Sequence, residues 1–126
     1  MKFVKMHGLG NDFVITDDRE NKYTENLDEM ARKLCHRRTG IGADGLVFVR
    51  NSETCDVRMQ IFNSDGSEGM MAGNALRCMA KYLYDNNIVR KDVMTIETDT
   101  GVKTAQVYTT NGKVTSAAVD MGYATL

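Results

Sequence analysis

Between Phe62 and Cys78 the chain concentrates residue types suited to holding a small anion. Asn63 ends an alternating stretch, Asp65-Gly66 supplies a tight turn, and Gly73-Asn74 opens an apolar run of helical period. Small Ala72 stands immediately before that run. A helix start carries backbone N–H groups with no partner inside the helix, and the aligned peptide dipoles add partial positive charge there. The expectation is a shallow pocket with several donors converging on a carboxylate-sized group. Arg77, one turn into the helix, either pairs with an acid or orders the loop.

A second stretch, Met6-His7-Gly8-Leu9-Gly10-Asn11-Asp12-Phe13, places two glycines beside an asparagine that offers both a donor and an acceptor. The same residues also serve an ordinary hairpin turn, and His7 alone implies no catalysis. Gly40-Ile41-Gly42-Ala43-Asp44-Gly45 matches the spacing of a dinucleotide fingerprint, but it follows a helix and enters a strand. That order is the reverse of what phosphate binding needs, so a sharp helix-to-strand turn is expected instead. Cys78 falls within the apolar helix body and reads as a small hydrophobe. Cys35, Cys55 and Cys78 are odd in number and form no C-x-x-C pair, which argues against disulfides or zinc and for a reducing, cytoplasmic setting.

The elements that must position these residues follow from pattern. Strands are expected over 2–6, 12–16, 46–50, 57–63, 94–98, 102–109 and 114–121. Val57, Met59 and Ile61 share one face of theirs. Asn26 is the expected N-cap of a helix carrying Leu27, Met30, Ala31 and Leu34 on one face, with Thr39-Gly40 as its stop. A second helix is expected over 73–85; Leu76, Met79, Ala80, Leu83 and Tyr84 make most of its circumference apolar, so neighbours should bury it on several sides. Asn111-Gly112 signals a type I′ hairpin. The result is an α+β domain, a mostly antiparallel barrel-like sheet wrapped around a central helix.

At 126 residues with 42% hydrophobic and 26% charged residues, the chain has one domain's worth of core. A formal net charge of −1 offers no global attraction for nucleic acid or an anionic membrane. The basic cluster His36-Arg37-Arg38 fits a solvated helix end. No run approaches membrane-spanning length, and Met1 to Met6 alternates instead of forming a signal stretch. The final residues carry no terminating signal, so a fragment of a longer protein is one reading.

Three blocks resemble the N-terminal half of the diaminopimelate epimerase family: Lys5 to Phe13, Arg37 to Gly45, and Phe62 to Glu68 leading into the helix start. The resemblance implies two similar lobes, each a barrel-like sheet around a helix, with the substrate between them and neither cofactor nor metal. It implies interconversion of LL- and meso-diaminopimelate by two cysteines, one per lobe, on opposite faces of the α-carbon. Residues 1–117 would be the N-terminal lobe and 118–126 the start of a crossover strand toward an absent C-terminal lobe. Asn11 and Asn63 resemble substrate-contacting asparagines, and Gly73 and Asn74 the residues whose amides take the α-carboxylate. The family's acid/base cysteine position holds Ala72, Gly-Asn-Gly becomes Gly73-Asn74-Ala75, and a position sometimes held by a substrate-contacting glutamine is Gly45. With no thiol at 72 and no second lobe, the chain alone is expected to be inactive. A non-catalytic amino-acid-binding module, a proline racemase-like or phenazine-pathway-like isomerase, and a scaffold are the alternatives. An unpaired lobe should also expose apolar surface, which a homodimer would cover.

Overall fold

Alternating and helix-period runs resolve into β1 (Val4–His7), β2 (Asp12–Asp17), α1 (Leu27–Cys35), β3 (Gly45–Arg50), β4 (Val57–Asn63), α2 (Gly73–Asp85), β5 (Val93–Thr98), β6 (Gly101–Thr110) and β7 (Lys113–Asp120). This computed structural model describes residues 2–8, 10–69 and 73–120. The strands form a single sheet in chain order. The β2–β3 and β4–β5 pairs are parallel, and each is joined through a helix, as parallel neighbours require. The remaining neighbours are antiparallel.

The two helices lie on opposite faces. α1 packs on β3 and β4, where Ala31 and Cys35 meet Val14, Leu46, Phe48 and Phe62. α2 packs against β2, β6 and β7, and its Leu76, Met79, Ala80 and Leu83 are at most 1% exposed. Met59 and Ile61 of β4, Met94 and Ile96 of β5, and Ala105 and Val107 of β6 join them in the larger core. The sheet thus curls around α2, as the nearly all-round apolar pattern of that helix demands.

Two local expectations need correction. Asn26 does stand at the N-cap of α1, but its φ of 55° is left-handed and its side chain makes no capping bond. Its carbonyl instead accepts the Met30 N–H at 3.0 Å, and Asp28 and Glu29 meet the positive helix end. The helix also stops at Cys35, four residues before Thr39. There the chain folds back so that the amides of Ile41 and Gly42 reach the Leu34 carbonyl at 2.8 and 3.1 Å. A Cβ at Gly40 would collide with the carbonyls of Lys33 and Leu34, so this return is built for glycine. The Asn111-Gly112 turn has φ of 55° and 81°, as a type I′ hairpin requires.

Three carboxylates pin two loops and the end of α2 to the sheet. Asp56 binds Lys91 Nζ at 2.8 Å and the Thr95 amide at 2.9 Å, and Asp85 binds Lys81 Nζ at 2.7 Å and the Val114 amide at 3.1 Å. Asp18 takes the amides of Lys22 and Tyr23 and the Arg50 guanidinium. Burial pushes all three carboxyls up, but these donors outweigh it and hold each below the usual carboxylate value. Each is therefore harder to protonate folded than unfolded. The stabilisation is present above the unfolded value and is lost as pH falls through the lower folded one. Thermal unfolding should show a midpoint that is level from neutrality to about pH 5 and falls below about pH 4. Asp85→Asn should flatten that acid limb; an unchanged limb would contradict the assignment.

Candidate functional site

The site begins where α2 does. Gly73 and Asn74 are the first helical residues and both are half-buried. Asn74 Nδ2 donates to Asn11 Oδ1 at 3.0 Å, joining the start of α2 to the loop between β1 and β2 across 63 residues of sequence. That loop is closed by the Gly8 amide on the Asn11 carbonyl at 2.7 Å. A Cβ at Gly8 would lie 3.1 Å from Asn74 Cβ, so glycine lets the loop press directly on the helix start. Arg77 Nη1 donates to Asn74 Oδ1 at 3.0 Å, and among the described residues it forms no ion pair with an acid.

Asn63 behaves differently. It closes β4 opposite Gly45, and its Nδ2 binds its own loop: Ser67 Oγ at 3.0 Å, the Ser67 carbonyl at 3.3 Å and the Gly69 carbonyl at 3.2 Å. Below it, Ser67 donates from both its amide and its hydroxyl to Asp65 Oδ1, at 2.9 and 2.6 Å, and Gly66 has a φ of 93°. Asn63 therefore shapes the segment leading to α2, and no described bond joins it to Asn11 or Asn74. Ala72, at the position of interest, and Met70-Met71 lie outside the described residues.

A network that pattern alone did not expose ties the three sequence blocks together. Asp44 Oδ2 accepts the Asp12 amide at 2.8 Å, the Asp44 amide returns to the Asp12 carbonyl at 2.8 Å, and the Asp44 carbonyl accepts the Ser64 amide at 3.0 Å. Arg37 donates to Asp44 Oδ1 at 3.1 Å, and His7 Nδ1 lies 2.6 Å from Asp12 Oδ1. The hydrogen bond from His7 chiefly holds the Asp12 carboxyl below its usual value. Asp44 and Asp12 are 32 residues apart, so only the parallel β2–β3 pairing brings them together.

The site opens on a groove of about 970 Å³ between β1 and β7, the two ends of the sheet. His7, Gly8, Asn74, Arg77, Cys78 and Ala117 are among its walls. Among the described residues no group of three His, Cys, Asp or Glu is placed to hold a metal ion. No described helix is long and apolar enough to cross a membrane.

Two of the described thiols, Cys35 and Cys78, are poor acid/base groups. Burial pushes Cys78 up, with the Asp12 charge adding to it. Burial likewise pushes Cys35 up to about 11. Cys35 and Cys78 are only 2% and 5% exposed, while Cys55 is half-buried at the foot of β4. With a thiol-specific reagent at pH 8, Cys55 should react promptly and the other two only on unfolding, since burial keeps reagent from Cys35 and Cys78. Prompt reaction of all three would contradict this placement.

With this geometry in hand, the chain can be set beside known proteins. A family model described as diaminopimelate epimerase matches residues 3–126. The curated diaminopimelate epimerase of Clostridium perfringens is 51% identical over 123 residues, 98% of this chain and 45% of that protein. That of Alkaliphilus metalliredigens is 48% identical over 122 residues, 97% and 43% respectively. The chain thus spans less than half the length of these relatives. Among solved structures, a probable proline racemase from Agrobacterium radiobacter K84 aligns with a TM-score of 0.77 at 17% identity, over 93% of this chain and 40% of that one. At that identity the likeness is one of fold. The sheet curled around α2, the three linked blocks and the match along nearly the whole sequence lead to one conclusion: the chain belongs to the diaminopimelate epimerase family, as an N-terminal half.

Proposed function

We propose that this chain is the N-terminal lobe of a cofactor-independent epimerase that interconverts LL- and meso-diaminopimelate in cytoplasmic lysine and peptidoglycan synthesis. The observation that carries the reading is the Asn11–Asn74 bond at the first turn of α2, directly after the position where the family's cysteine would stand. In this reading Gly73 and Asn74 offer backbone amides to the substrate α-carboxylate, Asn11 contacts the substrate from the neighbouring loop, and Asn63 shapes the pocket wall. Removing an α-proton from an amino acid leaves a poorly stabilised carbanion. Fixed donors and the dipole of α2 would temper the charge that develops on the carboxylate. The same field would favour thiolate in a cysteine placed just before the helix.

The second base would come from a C-terminal lobe of the same protein, closing over the groove between β1 and β7 and excluding water. Residues 1–117 form the lobe proper in this scheme, and 118–126 lead out of it; β7 runs unbroken through that division, with Ala118 opposite Gln106. Because alanine can neither take nor give a proton, the chain as it stands lacks this lobe's acid/base group. Incubated with LL-diaminopimelate in heavy water, it should place no deuterium on the α-carbon. Deuterium entering there would overturn the assignment of Ala72 as the lost base.

Ala72 also favours a second reading, an amino-acid-binding module that has kept the carboxylate cradle without the chemistry. Calorimetry separates the two. Tight binding of diaminopimelate by this lobe alone supports the module, whereas an epimerase lobe needs its partner to complete the site.

A further inference from the structure

The glycine loop 40–45 turns sharply into β3 and sets Asp44 against the loop that carries Asn11. Asp44 brackets Asp12: its amide donates to the Asp12 carbonyl at 2.8 Å, and its Oδ2 accepts the Asp12 amide at 2.8 Å. That Asp12 amide shares a peptide unit with the Asn11 carbonyl, which accepts the Gly8 amide at 2.7 Å. The Asn11–Asp12 peptide is therefore held at both ends, by Gly8 on its oxygen and by Asp44 on its nitrogen. A planar unit gripped twice does not turn, so the backbone of Asn11 is set and with it the rotamers open to its side chain. From the other side the chain gives little guidance, because Gly10 has a φ of 85° and open space around it. Through its carbonyl Asp44 also takes the Ser64 amide at 3.0 Å, so the residue that holds Asn11 touches the turn after β4 as well.

We propose that Asp44 is a positioning residue whose carboxylate, by fixing the Asn11–Asp12 peptide, aims the Asn11 side chain at the first turn of α2 and at a substrate held there. The consequence for catalysis rests on the reading of Asn11 as a substrate contact; the positioning itself does not. Arg37 makes the arrangement tenable. Its Nη2 donates to Asp44 Oδ1 at 3.1 Å and its Nη1 lies 3.9 Å from Asp12 Oδ2, so a cation stands between the two carboxylates and offsets their repulsion. The Asp44 side chain is 34% exposed, and water competes for its bonds, so they stabilise the fold only modestly. What they define is a direction. The bond from Asn74 Nδ2 to Asn11 Oδ1 at 3.0 Å needs Asn11 to leave its loop toward the helix start.

NMR on this chain tests the positioning and needs no substrate, with thermal unfolding as a control for folding. In the parent, the Asp12 amide should exchange slowly and the Asn11 χ1 couplings should report one rotamer. Asp44→Asn keeps an acceptor oxygen for the Asp12 amide and should retain both properties. In Asp44→Ala that acceptor is gone; exchange at Asp12 should quicken by about tenfold or more, and Asn11 should average among rotamers. Asp44→Leu, similar in shape but without acceptors, should behave as Asp44→Ala does, and it stands in if the alanine variant does not fold. An Asn11 that keeps its single rotamer in the Ala or Leu variant would overturn the proposal. The catalytic consequence is read in the protein supplied with its C-terminal half and carrying Ala72→Cys. There Asp44→Ala should lower kcat/KM by about 10- to 10²-fold, the loss expected of a misplaced contact. Asp44→Asn should lower it by less than about threefold. Added to Asn11→Ala, Asp44→Ala should cost nothing further, because it acts through Asn11; losses that multiply would overturn that route. Averaged Asn11 rotamers with unchanged kcat/KM would uphold the positioning and overturn the assignment of Asn11 as a substrate contact.

Discussion

Replacing Ala72 by cysteine, in the protein supplied with its C-terminal half, is expected to raise α-proton exchange on diaminopimelate by about 10²- to 10⁴-fold, the usual contribution of a positioned acid/base group. The expectation follows from the sequence around position 72. Asn74 and Arg77 already hold the helix start and its neighbouring loop in register, so a thiol placed before Gly73 would meet an organised cradle. Ala72→Ser is the informative control, because a hydroxyl is far too weakly acidic to ionise near neutrality while filling similar space. Deuterium incorporation read by mass spectrometry separates the three. Cysteine should be fast, serine and alanine near background. Equal rates in all three would mean that the proton is handled elsewhere.

Breaking the buried pair between Asp18 and Arg50 should cost about 3–5 kcal/mol, as expected when one charge of a buried pair loses its partner. Both residues are nearly inaccessible, at 2% and 4% exposure. Arg50 also donates to the Tyr23 carbonyl at 2.7 Å and to Gln60 Oε1 at 3.1 Å, and its guanidinium lies 4.5 Å from the Phe48 ring centre. The pair therefore fastens the 18–26 connection to the end of β3. Asp18→Ala would strand a buried guanidinium, and the melting midpoint should fall by roughly 10–20 °C for a domain of this size. The double replacement of Asp18 by Ala and Arg50 by Met should cost less than the sum of the single changes, since no orphaned charge remains. Additive losses would show that the two residues act independently.

How much of this was legible in the sequence depends on the reach of each interaction. β4 and α2 were readable to the residue, because alternation at Val57, Met59 and Ile61 and the wide apolar arc from Leu76 to Leu83 are local signals. The Asn111-Gly112 turn was readable for the same reason. Asn26 stands at the N-cap as its type suggests but makes no side-chain bond there, since that type suits both a cap and the left-handed turn it adopts. The end of α1 was set by amides at 41–43 returning to it, a contact no helix-stop signal encodes. At the site, the sequence marked Asn11, Asn63, Gly73 and Asn74 but not which of them touch. Asn63 turned to its own loop, while Asn11 and Asn74 met through the packing of Gly8 on the helix. Asp44 and the Asp18–Arg50 pair lay beyond any local pattern, because each contact spans 32 residues.

The most direct test of the carboxylate cradle is a crystal structure of the protein, supplied with its C-terminal half, with LL-diaminopimelate. The account predicts an α-carboxylate within hydrogen-bond distance of the Gly73 and Asn74 amides, with Asn11 Nδ2 turned to a substrate oxygen. Ligand bound elsewhere, with those two amides engaged by the protein's own acceptors, would contradict it.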